Sequence, residues 1–320
     1  MRKKLVLNAC GLKSLGGIKL FVDAFDFFIK SGSEIIVLYS ENEFYEKLKK
    51  QSMEYQLISF IKITNKRFLH PFLNIIANSS QKKVIQECDA IIHFGNFGFR
   101  TKNKSFVLIQ NILPFVKKDL KNKLLKLFIL RSIKSSNFVL IQLNHIKQLI
   151  GQKYANKIIE IGEIFEEKIN LHNNEGKVVF LGSNISNKNF DFMVKVLKLI
   201  SLQNKITVIN PPRIIKEFLC IYTENHSQTL KVMSENDIYF HASDYETVGL
   251  PLYEAQSLGL KIVAPTKPYM QYFSGENVFL YEPKNTQSAL KSIEIATNKK
   301  IRTSQALIYI ENWSKILKYI

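Results

Sequence analysis

Residues 236–265, NDIYFHASDYETVGLPLYEAQSLGLKIVAP, gather the residue types best suited to chemistry in this chain. An apolar strand ends near Ala242, and the acidic loop Ser243-Asp244-Tyr245-Glu246 follows it. Pro251 in a first helical turn and Gly259 just past a last one predict a helix that starts near Leu250. The amides of Val248, Gly249 and Leu250 then have no partner inside the helix. With the helix dipole behind them they form a site for an anion. Gly249 lets a ligand approach the backbone closely. Glu254 lies one turn inside the helix, where a carboxylate can accept hydrogen bonds from two vicinal hydroxyls.

Strands and helices alternate along the whole chain, which predicts an α/β protein with mostly parallel sheets. Lys4–Ala9 reads as a buried strand, a loop with Gly11, Gly16 and Gly17 follows, and apolar residues from Ile18 to Phe28 recur at helical spacing. Further strands are predicted at Glu34–Tyr39, Asp89–Phe94, Ser105–Ile109 and Asn137–Leu143, with helices at Glu41–Lys50 and Leu120–Ile133. Ile161–Gly176 reads as a polar linker, after which the pattern restarts. Lys177–Leu181 is a strand, Gly182–Lys188 a loop and Phe190–Ile200 a helix. Ile206–Ile209, Asp237–His241 and Lys261–Ala264 are further strands. Two such units in tandem would bind ligands at the carboxyl ends of their strands.

Glu246 and Glu254, with Val248-Gly249 after the first and Ala255 after the second, resemble the nucleotide-sugar site of retaining GT-B glycosyltransferases, specifically glycosyltransferase family 4. The resemblance implies two Rossmann-like parallel-sheet domains facing a central cleft. It implies that Glu254 holds the ribose, that Glu246 lies against the donor sugar near the reacting carbon, and that the amides of Val248, Gly249 and Leu250 contact sugar and diphosphate. The family usually has Phe at the position of Val248 and Pro at that of His241. KVVFLGSNISNKNFDFMVKVLKLI, residues 177–200, resembles the family's second phosphate-binding element, with Lys188 at the lysine position. A lysine there would neutralise the leaving diphosphate. Ser183 stands where the family has arginine, which leaves Lys188 as the main side-chain cation.

The first half resembles the family more diffusely. Gly16 and Gly17 match its glycine loop toward the donor phosphate. His93 stands at a strand end where members place a histidine near the reacting sugar. Asn96, Gln110 and Asn111 fall in stretches usually on the acceptor side, and Trp313 resembles the residue opening the last helix, which crosses back onto the first domain. The expected division is an acceptor domain at 1–162, a donor domain at 163–305 and a crossing helix at 306–320. No Asp-x-Asp or His-Glu-x-x-His occurs, so neither a metal nor a cofactor is expected. Retention would proceed with the leaving phosphate oxygen itself deprotonating the acceptor hydroxyl on the same face.

Charge separates the halves. Residues 1–150 carry 25 Lys+Arg and 10 Asp+Glu, a net +15, and residues 151–320 carry 20 and 17, a net +3, giving +18 in all. Such a balance calls for an anionic partner. Lys117–Lys134 holds seven cations interleaved with Leu120, Leu124, Leu127, Phe128, Leu130 and Ile133 and reads as a basic amphipathic helix fit for an anionic membrane. Ile58–Asn78, with Lys62, Lys66, Arg67, Phe68, Phe72 and Ile75, is a second such stretch. No run approaches the ~20 apolar residues of a membrane span. The three unpaired cysteines and the absence of a full signal sequence predict a cytoplasmic protein, peripheral on the inner face of its membrane. The function expected is transfer of a sugar from a UDP- or GDP-sugar to a saccharide or lipid-linked acceptor in a surface polysaccharide. Three readings stand beside it: a related enzyme with a soluble acceptor, an inactive homologue, and a nucleic-acid-binding protein. The last explains the charge but not the glutamate pair, and no nucleic-acid motif is present, so no nucleic-acid partner is expected.

Overall fold

The computed structural model describes residues 2–12, 14–40, 43–52, 57–63, 78–99, 101–171, 176–200 and 205–320. The chain divides into two compact units, one of residues 1–163 with 311–320 and one of residues 164–310.

The first unit holds a seven-stranded sheet of order β3-β2-β1-β4-β5-β6-β7. Its strands are β1 (Lys4–Asn8), β2 (Glu34–Tyr39), β3 (Ile58–Lys62), β4 (Ala90–His93), β5 (Lys104–Leu108), β6 (Phe138–Ile141) and β7 (Ile158–Glu160). Every neighbouring pair is parallel. The inner strands are continuous apolar runs because both sheet faces are covered. Alternate residues serve the two faces. Leu5, Leu7, Ile35, Val37 and Ile92 pack with Phe21, Phe25 and Phe28 of the helix Leu15–Lys30. Val6, Ile36, Leu38 and Ile91 pack on the other side with Ile85 of the helix Ser79–Glu87. From β1 the chain runs outward to β2 and β3, then returns to lay β4 on the other side of β1. The carboxyl ends of β1 and β4 therefore flank a topological switch point, where such sheets bind ligands.

The second unit repeats the design with six strands in the order β11-β10-β9-β12-β13-β14. They are β9 (Val178–Leu181), β10 (Ile206–Ile209), β11 (Leu219–Ile221), β12 (Ile238–Phe240), β13 (Lys261–Pro265) and β14 (Val278–Tyr281), all in parallel pairs. Val178, Phe180, Val208, Phe240 and Val263 bury against the helices Phe190–Leu197 and Thr286–Asn298. Here the switch point lies between β9 and β12.

Three expectations are corrected. The polar stretch 161–176 is a linker only in part, because Gly162–Asn170 forms strand β8. Its partner is β15 (Thr303–Glu311), in a two-stranded sheet of its own. Asn312 N–H donates to Ile161 O at one end and Leu171 N–H to Arg302 O at the other, so the pair is antiparallel. Residues 306–311 of the expected helix at 306–320 are therefore strand, and helix remains only at Ser314–Leu317. The start of the basic stretch 58–78 is edge strand β3, with Ser59 and Lys62 exposed, and residues 64–77 lie outside the described ones.

The tail after β15 completes the first unit. Trp313 is buried, with its ring 6.3 Å from Phe28 and 5.9 Å from Phe94. Asn312 donates to Glu163 at 2.9 Å, and Lys315 Nζ lies 3.0 Å from the same carboxylate.

Candidate functional site

The second switch point brings together the expected donor residues of the second half, with the loops after β9 and β12 stitched together, while Gly16 and Gly17 lie in the first unit. Gly182 ends β9 where a Cβ would fall 2.4 Å from Pro211 Cα and 2.5 Å from Asn210 O, so only glycine allows the next loop to pass this closely. Ser183 folds its hydroxyl back to accept from Ile185 N–H at 3.1 Å. A single 3-10 turn, Ser186–Lys188, ends at Asn189, whose φ of 52° is left-handed. Asn189 donates to Ala242 O at 2.8 Å and Asn187 to Tyr245 O at 3.1 Å, while Asp244 N–H donates to Asn187 O at 2.8 Å. These bonds fix Lys188 beside the acidic loop, and its Nζ lies 2.5 Å from Glu246 Oε1.

Glu246 has a second partner. His241 Nε2 lies 3.4 Å from the same Oε1, and His241 Nδ1 lies 3.2 Å from Tyr239 Oη. With the tyrosine hydroxyl donating to Nδ1, the imidazole proton sits on Nε2 and faces the carboxylate. Burial raises the pKa of Glu246, but the His241 hydrogen bond and the Lys188 ammonium outweigh it and hold the carboxyl at about 2. Burial lowers that of His241 despite Glu246 beside it, which keeps the ring neutral. Tyr281 and Tyr269 donate to the carbonyls of His241 and Ser243 at 2.9 and 2.5 Å, which sets the path of the strand end. Asp244 lies between Lys267, at 3.6 Å, and Lys284, at 3.3 Å.

The helix behind this loop is Leu250–Ser257, with Gly249 as its N-cap at φ 78° and Pro251 in the first turn. A left-handed N-cap explains the glycine, and a Cβ there would also press on Leu252 at 3.1 Å. Val248 and Gly249 are buried, and Leu250 begins the helix. Glu254 Oε1 lies 3.3 Å from Nε2 of His226. His226 opens the helix His226–Ser234, which follows β11.

Sequence reasoning missed His226 because neither β11 nor its helix was read, and it lies 28 positions from Glu254. It noted His241 only as a departure from the family's proline. A buried polar residue two positions after Tyr239 on the same strand face was the available signal.

The first unit's expected residues also gather at strand ends, but to another effect. His93 ends β4 fully buried, its Nδ1 2.9 Å from Asn8 Nδ2 and its ring edge-on to Phe99 at 4.5 Å. Burial pushes its pKa down to about 3, despite a backbone hydrogen bond at Phe99 that raises it. Such an enclosed neutral ring braces β1 against β4 and offers no exposed atom to a reacting sugar. Gly95 and Asn96 follow with φ of 85° and 75°. Asn96 Oδ1 accepts from Gln110 N–H at 2.7 Å and Asn111 N–H at 3.0 Å, so the three expected acceptor-side residues meet where the loops after β4 and β5 are joined. Gly16 and Gly17 open the helix Leu15–Lys30 and behave differently. A Cβ on Gly17 would strike Leu12 at 2.7 Å and Ser14 Oγ at 2.8 Å, whereas one on Gly16 meets nothing within 4 Å.

Among the described residues, no group of three or more His, Cys, Asp or Glu is placed to hold a metal. Also among them, no helix is long and apolar enough to cross a membrane.

No family model matches the chain, and no curated protein matches it by sequence. Solved structures do match by shape. WaaG, a glycosyltransferase involved in lipopolysaccharide biosynthesis, is 11% identical, with a TM-score of 0.62 over 92% of this chain and 90% of that one. A variant of S. aureus TarM in complex with Fondaparinux, alpha-GlcNAc-glycerol and UDP is 11% identical, with a TM-score of 0.64 over 93% of each chain. Sucrose-phosphate synthase from Thermosynechococcus elongatus is 10% identical, with a TM-score of 0.66 over 93% of this chain and 90% of that one. The two parallel sheets, of seven and six strands, are an α/β fold that matches the GT-B glycosyltransferase structures.

Proposed function

We propose that the chain is a retaining glycosyltransferase of the family 4 type that moves a sugar from a UDP- or GDP-sugar to a saccharide or lipid-linked acceptor of a surface polysaccharide. The observation that carries the reading is the joining of Lys188, Glu246 and a glycine-capped helix N-terminus at the switch point of the second sheet. In this reading Glu254 accepts the ribose hydroxyls, and His226 beside it completes the nucleoside end. The amides of Val248, Gly249 and Leu250 and the Lys188 ammonium take the diphosphate. An ammonium has three protons to donate, so Lys188 can keep Glu246 while it binds phosphate.

The bond between the anomeric carbon and the phosphate oxygen breaks with its electron pair going to phosphate, where Lys188 and the amides meet the new charge. The acceptor oxygen bonds to the carbon on the same face, and its proton passes to the departing phosphate oxygen. Glu246, ionised by its two partners, faces the positive charge that develops on the ring. No metal and no cofactor is required in this scheme. With Ser183 in place of the family's arginine, Lys188 bears the side-chain share of the charge alone. The first unit reads the acceptor, and the protein works on the cytoplasmic side.

A thermal-shift series with UDP, GDP and their sugars tests the reading. UDP is the first arm, because the TarM structure holds it. Stabilisation by at least one nucleotide, lost in Glu254→Ala, is the expected result. A protein stabilised by none of them sinks the proposal.

A further inference from the structure

We propose that His241, braced by Tyr239, is a positioning residue that holds the Glu246 carboxylate in place when a phosphate draws on Lys188. The proposal rests on the nucleotide-sugar reading for that phosphate, and on the geometry alone for the hold. Lys188 Nζ and His241 Nε2 meet the same oxygen of Glu246, at 2.5 and 3.4 Å. The two partners are mounted differently. Lys188 ends a single 3-10 turn and keeps 29% of its side chain exposed. Its ammonium rides on a flexible four-carbon stem, so it can follow an anion. His241 is 5% exposed, and its backbone is tied on both sides. Its N–H donates to Val263 O at 2.8 Å, and its carbonyl accepts from Tyr281 Oη at 2.9 Å. The ring of Tyr269 stands edge-on to the imidazole at 5.9 Å. A side chain so enclosed cannot travel with a ligand. The Glu246 side chain is itself 11% exposed. A carboxylate that deep needs a fixed hydrogen-bond donor when its cation is shared with a second anion.

The imidazole can serve in only one tautomer. Nε2 donates to Glu246 when Nδ1 accepts, and Tyr239 Oη lies 3.2 Å from Nδ1. Tyr239 stands two residues back on the same strand face, which brings its hydroxyl to the ring. The other hydroxyls nearby are committed to carbonyls, that of Tyr269 to Ser243 and that of Tyr281 to His241. Burial, with the charges of Glu246 and Glu254 acting in the same sense, pushes the Tyr239 hydroxyl well above the ordinary tyrosine value. It therefore keeps the proton that it donates. Burial likewise lowers the pKa of His241 and keeps the ring neutral. A neutral partner does what a second ammonium could not. It fixes the carboxylate without cancelling its charge, and that charge is what faces a cation developing at an anomeric carbon.

The hold is measured on the full chain without ligand, by NMR of the Glu246 carboxyl carbon, assigned by its loss in Glu246→Gln. Titration midpoints below the ordinary 4.5 are expected in the parent, in His241→Phe and in Lys188→Met, since either partner suffices. Lys188→Met with His241→Phe should carry the midpoint above 4.5, because burial then acts without either of them. Lys188→Met with His241→Gln, whose amide replaces the Nε2 proton, should bring it back below. NMR of the imidazole nitrogens should show the parent His241 neutral with its proton on Nε2, and Tyr239→Phe should mix the tautomers. Saturating pyrophosphate, as the anion, should raise the Glu246 midpoint more in His241→Phe than in the parent. A midpoint above 4.5 in Lys188→Met alone overturns the proposal, as does a double variant with Phe that stays below it. A parent ring protonated on Nδ1, or equal rises with bound pyrophosphate, overturns it as well. If His241→Phe does not fold, the parent tautomer and the Lys188→Met midpoint decide. Pyrophosphate and nucleotides that fail to bind count against the nucleotide-sugar reading, whereas the ligand-free spectra decide the hold on Glu246 by themselves.

Discussion

At the carboxyl ends of β9 and β12, ionised side chains face one another: Lys188 meets Glu246, and Asp244 lies between Lys267 and Lys284. At the carboxyl ends of β1, β4 and β5, the polar groups are neutral. Asn8 holds His93, and Asn96 holds the amides of Gln110 and Asn111. The same sheet design thus produces a cluster of charged side chains in one unit and a frame of neutral polar groups in the other. A frame of amides and glycines fixes the backbone and leaves recognition to whatever stands above it.

The comparison predicts that changes in the first unit damage the fold, while changes in the second damage ligand chemistry. The largest effect is expected from Trp313→Ala, which empties the core of the first unit and should cost ~3–5 kcal/mol in denaturant unfolding. Lys188→Ala should lower the thermal midpoint only modestly, because His241 stays beside Glu246, but lower kcat about 100- to 1,000-fold, the usual effect of losing one donor to a developing oxyanion. If Lys188→Ala unfolds the protein instead, the contrast between the units fails. Gly17→Ala should destabilise by ~1–3 kcal/mol because its methyl overlaps Leu12 and Ser14. Gly16→Ala, one residue away with open space around it, should preserve or slightly raise stability. If Gly16→Ala also lowers activity, the glycine loop belongs to the ligand site rather than to the frame.

A further effect is a pH dependence. His93 and His241 are neutral when folded and have pKa values below their ordinary 6.5. Their contribution is complete above that value and is lost as pH falls, because the unfolded chain then binds protons that the folded chain excludes. Glu246, held at about 2 against an ordinary 4.5, adds a loss of the same sign below pH 4.5. Thermal midpoints should fall from pH 7 to pH 5 in the parent and fall less in His93→Asn. A midpoint that rises over this range contradicts the burial of both rings.

The stretch around Glu246 and Glu254 was legible because its signals are local. A proline, two glycines and two glutamates fall within fourteen residues, between strands that are apolar enough to read. The rest was hidden for physical reasons. β7 and β11 have three residues each and leave no periodicity to find. The strand pair β8 and β15 stands apart from both main sheets and exposes much of both faces, so GEIFEEKIN reads as a polar linker. His93 was recognisable as a strand-end histidine, but its enclosure depends on Asn8, Gly98 and Phe99, which only the folded sheet brings around it. The pairing of His226 with Glu254 is likewise a product of topology, since strand order, and not sequence distance, sets which loops become neighbours.

Placing Trp313 in the first unit has a consequence for the order of folding. A chain made from its N-terminus releases all of residues 164–310 as one uninterrupted stretch, while the unit begun earlier still lacks residues 311–320. The element synthesised first is thus the last to close its core, and during that interval Phe28 and Phe94 have no indole to cover them. A nascent chain stalled before Trp313 would expose this aromatic surface to chaperones and proteases, with the later-made unit already folded.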